Sequence, residues 1–194
     1  VAMIIRDEPV DRLAMLVEYM SPIVTEFSIV DTGSVDIDID GPLISSWDKV
    51  KLNHFAWVND FARARNESLK YLNTDWVLHL DADELVSHVM YDSIERILNE
   101  CDPKTKGWLF MTQNYWGGER GIRVEAHWHC RLFRKESGHW YKPLHEQVML
   151  DNRMEHETRG TIVLPKADES ALLIHSKSRD ALKRSEQLYN RIGE

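Results

Sequence analysis

Residues 76–84 have the sequence Trp76-Val77-Leu78-His79-Leu80-Asp81-Ala82-Asp83-Glu84. The first five residues are mostly apolar and predict a buried strand, and three carboxylates follow within four residues. In open α/β sheets, ligands bind beyond the carboxyl ends of the strands. We expect Asp81 and Asp83 to face one site, because side chains two residues apart lie on the same side of an extended chain.

These carboxylates fit two interpretations. Two such charges held close together repel each other unless a cation or a shared proton lies between them. Hard oxygen donors favour Mg²⁺ or Mn²⁺, and Mg²⁺ is commonly shared between carboxylates and substrate phosphates. The simpler interpretation is a polar strand end followed by an acidic helix start. The position directly after a buried strand favours the metal site.

On either side of this stretch, the pattern of elements indicates the fold class. Short apolar runs alternate with helical patterns in the first half, which is typical of parallel β-α-β units. The predicted elements there are strands at 2–5, 27–30 and 50–52, helices at 9–20 and 59–72, and a loop at 35–47. The second half has predicted helices at 90–100 and from 178, strands at 108–115, 124–134, 161–164 and 172–174, and a turn at 116–118.

This order of elements predicts an α/β fold in a single domain of residues 1–194. We expect a mostly parallel, Rossmann-like sheet flanked by helices, followed by a smaller mixed or antiparallel sheet. The boundary near Val86 is a change of role within one domain and not a linker.

The composition is that of an ordinary globular domain, with 43% hydrophobic and 29% charged residues. No apolar run approaches the roughly 18–20 residues of a membrane-spanning helix, and the N-terminal residues lack the features of a signal peptide. The net charge of −8 argues against nucleic acid as a partner, because a phosphate-backbone reader needs a basic face. Cys101 and Cys130 form no disulfide framework, so we expect a cytoplasmic location.

Two arginines of the predicted helix 59–72 lie on different faces. At spacings of three and four residues, Arg65 has apolar or small neighbours, whereas Arg63 has polar ones. A guanidinium on the packed face needs an anion, because a buried unpaired charge is costly. That anion is either a structural partner, such as Asp31 or Asp60, or the diphosphate of a substrate.

Histidines and tryptophans provide further candidates. His127 and His129 share one strand face, and we favour packing or substrate contact over a zinc site, because no second cluster of ligands follows. His79 is expected to be a hydrogen-bonded core residue. Three tryptophans of the second half either stack on sugar rings or pack in the core: Trp116, Trp128 and Trp140.

Taken in order, the motifs resemble those of family 2 glycosyltransferases with the GT-A fold. The four matching segments are Ile4-Ile5-Arg6-Asp7-Glu8, Ile29-Val30-Asp31-Thr32-Gly33-Ser34, Asp60-Phe61-Ala62-Arg63-Ala64-Arg65-Asn66 and residues 76–84. Two later segments, Arg131-Leu132-Phe133-Arg134 and His145-Glu146, resemble a bacterial and phage branch of that family. The resemblance covers nearly the whole chain. It implies that residues 1–86 bind a nucleotide sugar and that residues 87–194 bind the acceptor.

The resemblance also implies a reaction and a set of site residues. The reaction is an inverting transfer from a nucleotide-diphosphate sugar, with a UDP-sugar favoured, to a hydroxyl group of a glycan, a lipid-linked sugar or a protein. Mn²⁺ or Mg²⁺ would hold the diphosphate leaving group. The implied roles are Glu8 and Asp31 for the nucleobase and ribose, Arg65 for the diphosphate, Asp81 for the ribose or metal, Asp83 and His175 for the metal, and Glu146 as general base. His145 is the alternative to His175 as a metal ligand.

One departure from the family pattern concerns the first loop, and two other classes of protein compete with this interpretation. The chain has Asp7 where the family has an amide side chain, and a carboxylate supplies no amide donor. A nucleotidyltransferase would normally carry a glycine-rich phosphate loop near the first strand, but residues 5–12 contain no glycine. A carbohydrate-binding domain that uses the tryptophans leaves Arg65 and the pair Asp81 and Asp83 unexplained.

Overall fold

A computed structural model describes residues 1–35, 41, 44, 46–118, 121–154, 162–163 and 172–177. Most of the predicted loop at 35–47 and the predicted helix from 178 lie outside the described residues.

The first half of the chain forms a small parallel sheet with two helices. Its elements are β1 (Ala2–Ile5), α1 (Val10–Met20), β2 (Phe27–Asp31), β3 (Val50–His54) and α2 (Phe61–Lys70). The strand order is β1-β2-β3 and both pairings are parallel. Because α2 packs against β1 and β2, the β-α-β organisation predicted for this half is confirmed.

The second half is built on long strands. Its elements are β4 (Trp76–Leu78), β5 (Glu84–Val86), α3 (His88–Glu100), β6 (Gly107–Gly118), β7 (Gly121–Arg134), β8 (Gly138–Tyr141), β9 (Gln147–Leu150), β10 (Arg153–Met154), β11 (Ile162–Val163) and β12 (Leu172–Lys177). A mixed sheet has the order β4-β7-β6-β12-β5, with β11 beside β6, and a third sheet has the antiparallel order β10-β9-β8. The predicted combination of a parallel sheet with a mixed or antiparallel one is confirmed.

A backbone contact aligns the parallel sheet with the mixed sheet. Ala2 of β1 forms a parallel bridge with His79, and the Leu80 N–H donates to the Ala2 carbonyl at 3.3 Å. The chain leaving β4 therefore emerges at the same edge as the chain leaving β1 and β2. This edge carries both Asp31 and Asp81.

The hydrophobic core draws on both halves of the chain. α1 begins directly after Pro9, where the missing N–H is not needed, and it buries Leu13, Val17 and Met20. The same cluster includes Phe110, which is fully buried in β6. Burial of each large apolar side chain contributes about 1.5–3 kcal/mol, so this shared core holds the parallel sheet and the mixed sheet together.

One prediction made for the second half is wrong. The turn at 116–118 lies within β6, whose pairing with β7 continues to Gly118 opposite Gly121. Gly138 begins β8, which pairs with β9. A Cβ atom at Gly138 would overlap the Phe133 ring, so close packing requires a glycine there.

The Asn66 side chain joins α2 to β8 by two hydrogen bonds to one backbone residue, as a neighbouring strand would. Its Nδ2 donates to the Trp140 carbonyl at 2.9 Å, and its Oδ1 accepts from the Trp140 N–H at 2.8 Å. The Phe61 N–H donates to the Pro143 carbonyl at 3.0 Å. These bonds hold residues 140–143 against the helix and bring the following segment, which contains Glu146, to the same place.

Candidate active site

Arg65 lies at the centre of the candidate site. The Asp60 carboxylate caps α2 by accepting the Arg63 N–H at 2.9 Å, and the helix then buries the face that carries Arg65 and Leu69. Arg65 is 8% exposed, whereas Arg63 is exposed to solvent. The prediction that the two arginines lie on different faces is therefore confirmed.

The guanidinium of Arg65 contacts groups from three distant parts of the chain. Its Nε donates to Glu146 Oε1 at 2.7 Å, and its Nη1 donates to Asp81 Oδ1 at 2.9 Å and to His79 Nε2 at 2.7 Å. Its Cζ atom lies 5.1 Å from the centre of the Trp140 ring. The structural partners of Arg65 are thus Asp81 and Glu146, and not Asp31 or Asp60, the two carboxylates considered in the sequence analysis.

These contacts determine the charge states of the cluster. Burial lowers the pKa of Arg65, but the carboxylates of Asp81 and Glu146 raise it by more, so the guanidinium stays charged. Burial raises the pKa of the Asp81 carboxyl group, but Arg65, His79 and Arg131 together lower it by more, and the result is a pKa well below its usual range. Both partners of this ion pair are therefore ionised at neutral pH.

His79 is the hydrogen-bonded core histidine that the sequence predicts. It is 2% exposed and stacks edge-to-face with Trp140 at 4.7 Å between ring centres. Burial, followed by the charge of Arg65, lowers its pKa to about 3, so the ring is neutral. Because a guanidinium only donates, Nε2 accepts from Arg65 and the ring proton is assigned to Nδ1.

A second ion pair joins Arg131 of β7 to Glu84, the residue that follows Asp83. Arg131 Nη2 donates to Glu84 Oε1 at 2.6 Å and Nη1 donates to Glu84 Oε2 at 3.1 Å. Arg131 also donates to Thr112 Oγ1 at 3.1 Å, and its Nη1 lies 4.0 Å from Asp81 Oδ2. Glu84 is 2% exposed, so its carboxylate is a buried partner of Arg131 and not a group that faces solvent.

Glu84 also fixes the conformation of residues 81–84. Its Oε2 accepts the Asp81 N–H at 2.9 Å, and its own N–H donates to the Asp81 carbonyl at 3.1 Å. Residues 82 and 83 form a turn. The expectation of an extended chain through Asp81 and Asp83 is therefore wrong, because Glu84 closes a turn there. Their placement beyond a buried strand is confirmed.

The loops after β1 and β2 are joined through one hydroxyl group. Asp31, which is 4% exposed, accepts from the Ser34 N–H at 3.0 Å and from the Ser34 hydroxyl at 2.5 Å. The same Ser34 oxygen accepts the Asp7 N–H at 2.8 Å, and Asp7 Oδ1 accepts the Val35 N–H at 2.7 Å. Asp7 has a positive φ of 54°. Its carboxylate links the two loops by accepting a hydrogen bond, which requires no amide donor.

The other predicted site residues lie around this edge. Glu8 follows β1 and lies 3.8 Å from Arg12, measured between Oε2 and Nη1. Asp83 lies partly buried in the turn, and the backbone of β12 pairs His175 with Glu84, one residue from Asp83. The structure thus brings Arg65, Asp81 and Glu146 into direct contact. It aligns the backbone of His175 beside the acidic turn.

In the part of the chain that the structure describes, no three His, Cys, Asp or Glu side chains gather as a metal site. This covers His127 and His129, whose ring centres lie 6.1 Å apart. None of the helices described is long and apolar enough to cross a membrane.

Sequence reasoning missed the role of Arg131. It was noted only as part of a motif, although a charged residue between Cys130 and Leu132, both buried, needs a buried partner. That signal was readable from the strand pattern. Trp140 was named as a possible sugar-stacking residue, but the structure uses its ring against Arg65, His79 and Phe133.

Two solved structures define the class of fold. TarS from S. aureus in complex with UDP-GlcNAc superposes with a TM-score of 0.56 at 12% identity, over 91% of this chain and 58% of that chain. GalNAc-T7 with UDP, GalNAc and Mn²⁺ superposes with a TM-score of 0.59 at 12% identity, over 98% of this chain and 48% of that chain. The chain therefore has the fold of the GT-A-type glycosyltransferases.

The sequence also matches parts of longer proteins. A TPR repeat-containing protein of Synechococcus elongatus is 30% identical over 147 residues, which cover 75% of this chain and 34% of that protein. The glycosyltransferase SunS, from Bacillus phage SPbeta and as the prophage-derived protein of Bacillus subtilis, is 32% identical over 62 residues, 32% of this chain and 14% of SunS. The chain spans about a third of the first relative. No protein-family model matches.

Proposed function

We propose that the chain is a glycosyltransferase that moves a sugar from a nucleotide-diphosphate sugar, preferably a UDP-sugar, to a hydroxyl acceptor with inversion. The observation that carries this proposal is the contact of Arg65 with both Asp81 and Glu146 at the carboxyl edge of the parallel strands. The edge is where ligands bind in open α/β sheets. The fold supports the donor class, because two glycosyltransferases that share it were solved with UDP-GlcNAc or UDP.

The charge of the cluster supports a divalent ion. Around the acidic turn, the described residues include the carboxylates of Asp81, Glu84 and Glu146 and the guanidiniums of Arg65 and Arg131, beside a neutral His79. Asp83 adds a further carboxylate at the same turn.

The Asp83 carboxylate is the kind of oxygen ligand that Mn²⁺ or Mg²⁺ shares with substrate phosphates. We assign Asp83 and His175 as the protein ligands. When bound, the ion would neutralise charge on the departing diphosphate.

Glu146 is suited to act as the general base. Its Oε1 is fixed by Arg65, and its Oε2 receives no hydrogen bond from the described residues. The side chain is 15% exposed. One oxygen is thus anchored, and the other remains for the acceptor hydroxyl. In the proposed step the acceptor oxygen attacks the anomeric carbon, its proton passes to Glu146, and the bond to the diphosphate breaks.

Thermal stabilisation by nucleotide sugars tests the proposal, because a ligand that binds only the folded state raises its stability. We expect a UDP-sugar with Mn²⁺ to raise the melting temperature more than the same compound with EDTA. Release of UDP on addition of hydroxyl acceptors then tests the transfer.

Stabilisation by nucleoside triphosphates together with sugar phosphates would instead identify a nucleotidyltransferase. Stabilisation by sugars in the absence of any nucleotide would identify a carbohydrate-binding domain.

A further inference from the structure

A cavity lies between the start of α2 and residues 140–143. It has a volume of about 300 Å³, and its lining comes from Asp60, Ala62, Arg63 and Asn66 on one side and from residues 140–143 on the other. We call it the α2 pocket. The donor and metal roles proposed above use none of these side chains.

The α2 pocket is a preformed feature of the fold. The two Asn66 bonds to the Trp140 backbone and the Phe61–Pro143 backbone bond fasten its two walls together. Lys142 adopts a positive φ of 73°. Such a backbone conformation is uncommon for a residue other than glycine and persists only where the surrounding structure holds it.

The lining combines an apolar, aromatic interior with a charged rim, where the cations Arg63 and Lys142 outnumber the Asp60 carboxylate. Ala62 and Trp140 are buried at 5% and 8% exposure, whereas Arg63 and Lys142 are exposed and Tyr141 is 51% exposed. Ligand pockets of this kind pair apolar and aromatic walls with a few polar groups that fix orientation. An Arg and a Lys at one rim favour phosphate, in a chain whose net charge is −8.

The location connects the pocket to the proposed base. The Trp140 ring that lines it also lies against the Arg65 guanidinium, which holds Glu146. Glu146 follows Lys142 by four residues, so their Cα atoms lie within about 14 Å of each other. The pocket is therefore connected to the base through Trp140 and Arg65.

We propose that the α2 pocket binds the phosphate-bearing part of the acceptor, a sugar phosphate whose phosphate contacts Arg63 and Lys142. The role as an acceptor site rests on the glycosyltransferase function proposed above, whereas the binding of a sugar phosphate does not.

Calorimetry with glucose 6-phosphate, in the presence of UDP and Mn²⁺ to fill the donor site, tests the proposal. The double variant Arg63→Ala/Lys142→Ala should bind glucose 6-phosphate at least about tenfold more weakly, as expected for lost charge-assisted hydrogen bonds. Lys70→Ala, an exposed cation at the other end of α2, should bind like the wild type. Unmodified glucose should bind more weakly than its phosphate. Equal affinity of wild type and double variant for glucose 6-phosphate would overturn the proposal.

The same variants distinguish the proposal for the α2 pocket from the proposal that the chain is a glycosyltransferase. If UDP-sugar binds and is turned over but the double variant keeps its affinity for glucose 6-phosphate, only the pocket assignment is wrong. If no UDP-sugar binds but the double variant loses glucose 6-phosphate, the pocket binds sugar phosphate and the glycosyltransferase proposal fails. Melting temperatures confirm folding, and both substituted side chains are exposed.

Discussion

Arg65 and Glu146 are 81 positions apart in the sequence, and Arg65 Nε donates to Glu146 Oε1 at 2.7 Å. The same guanidinium donates to Asp81 at 2.9 Å. One side chain therefore joins the proposed donor site to the proposed base. We expect a change at Arg65 to affect donor binding and turnover together, whereas a change at Glu146 should affect turnover alone.

The metal assignment predicts the effect of Asp83→Asn. UDP should bind the wild type more tightly with Mn²⁺ or Mg²⁺ than with EDTA. In the variant, the UDP affinity measured with metal should be at least about tenfold lower, since even changes to residues that only contact the metal ligands reach this size. Asp75→Asn, at an exposed loop position, is the matched control. Calorimetry that finds equal affinity with and without metal in the wild type would remove the basis for a metal site.

Arg65→Lys tests the diphosphate contact. Lysine keeps the charge but loses the planar fork, so UDP affinity should fall by roughly tenfold. Arg153→Lys, at an exposed strand position, should leave UDP affinity unchanged. A variant that keeps its UDP affinity and only melts at a lower temperature would make Arg65 a structural ion-pair residue.

Glu146→Gln tests the base. The glutamine carbonyl still accepts from Arg65 Nε, so donor and metal affinity should persist while turnover falls by about 10²–10⁴-fold. Glu136→Gln, which is exposed, should keep full turnover. If Glu146→Gln instead weakens donor binding and leaves turnover at saturating donor unchanged, the base lies elsewhere. Glu125 of β7 is then the next acid to test.

His175→Ala should weaken donor binding only when metal is present, because a lost ligand affects the ground-state complex. Titration of Mn²⁺ against the UDP complex measures this, and affinity in EDTA is the internal control. His145→Ala is the comparison, since His145 is the alternative ligand. Loss of the metal effect in His145→Ala but not in His175→Ala would reverse the assignment.

His79 predicts how stability depends on pH. Its pKa is about 3 in the folded protein, below the value of about 6.5 in an unfolded chain. As pH falls below about 6.5 the unfolded state takes up the proton first, so stability declines towards pH 3 with a slope approaching about 1.4 kcal/mol per unit. Chemical denaturation at pH 7 and pH 5 should show a smaller loss for His79→Gln than for the wild type. His127→Gln, at an exposed position, should behave like the wild type.

The sequence predicted the fold class and the burial of Arg65, because both follow from local periodicity. The hydrophobic pattern of 76–80 and the small neighbours of Arg65 are visible along the chain. The sequence did not predict the partners of Arg65. Glu146 comes close to Arg65 only because the Asn66 side chain of α2 binds the backbone of β8. The turn at Asp81–Glu84 was also missed, because it depends on the buried Arg131 of another strand. Local sequence patterns therefore did not reveal which charged residues pair with each other across long sequence distances.

The bonds between Asn66 and Trp140 also bear on self-association. β8 is the edge strand of its sheet, and an edge strand offers N–H and C=O groups to which a strand of another molecule can pair. Asn66 occupies both backbone groups of Trp140 with one side chain. A helix residue thereby blocks strand-to-strand pairing at Trp140, the position where this sheet borders the α2 pocket.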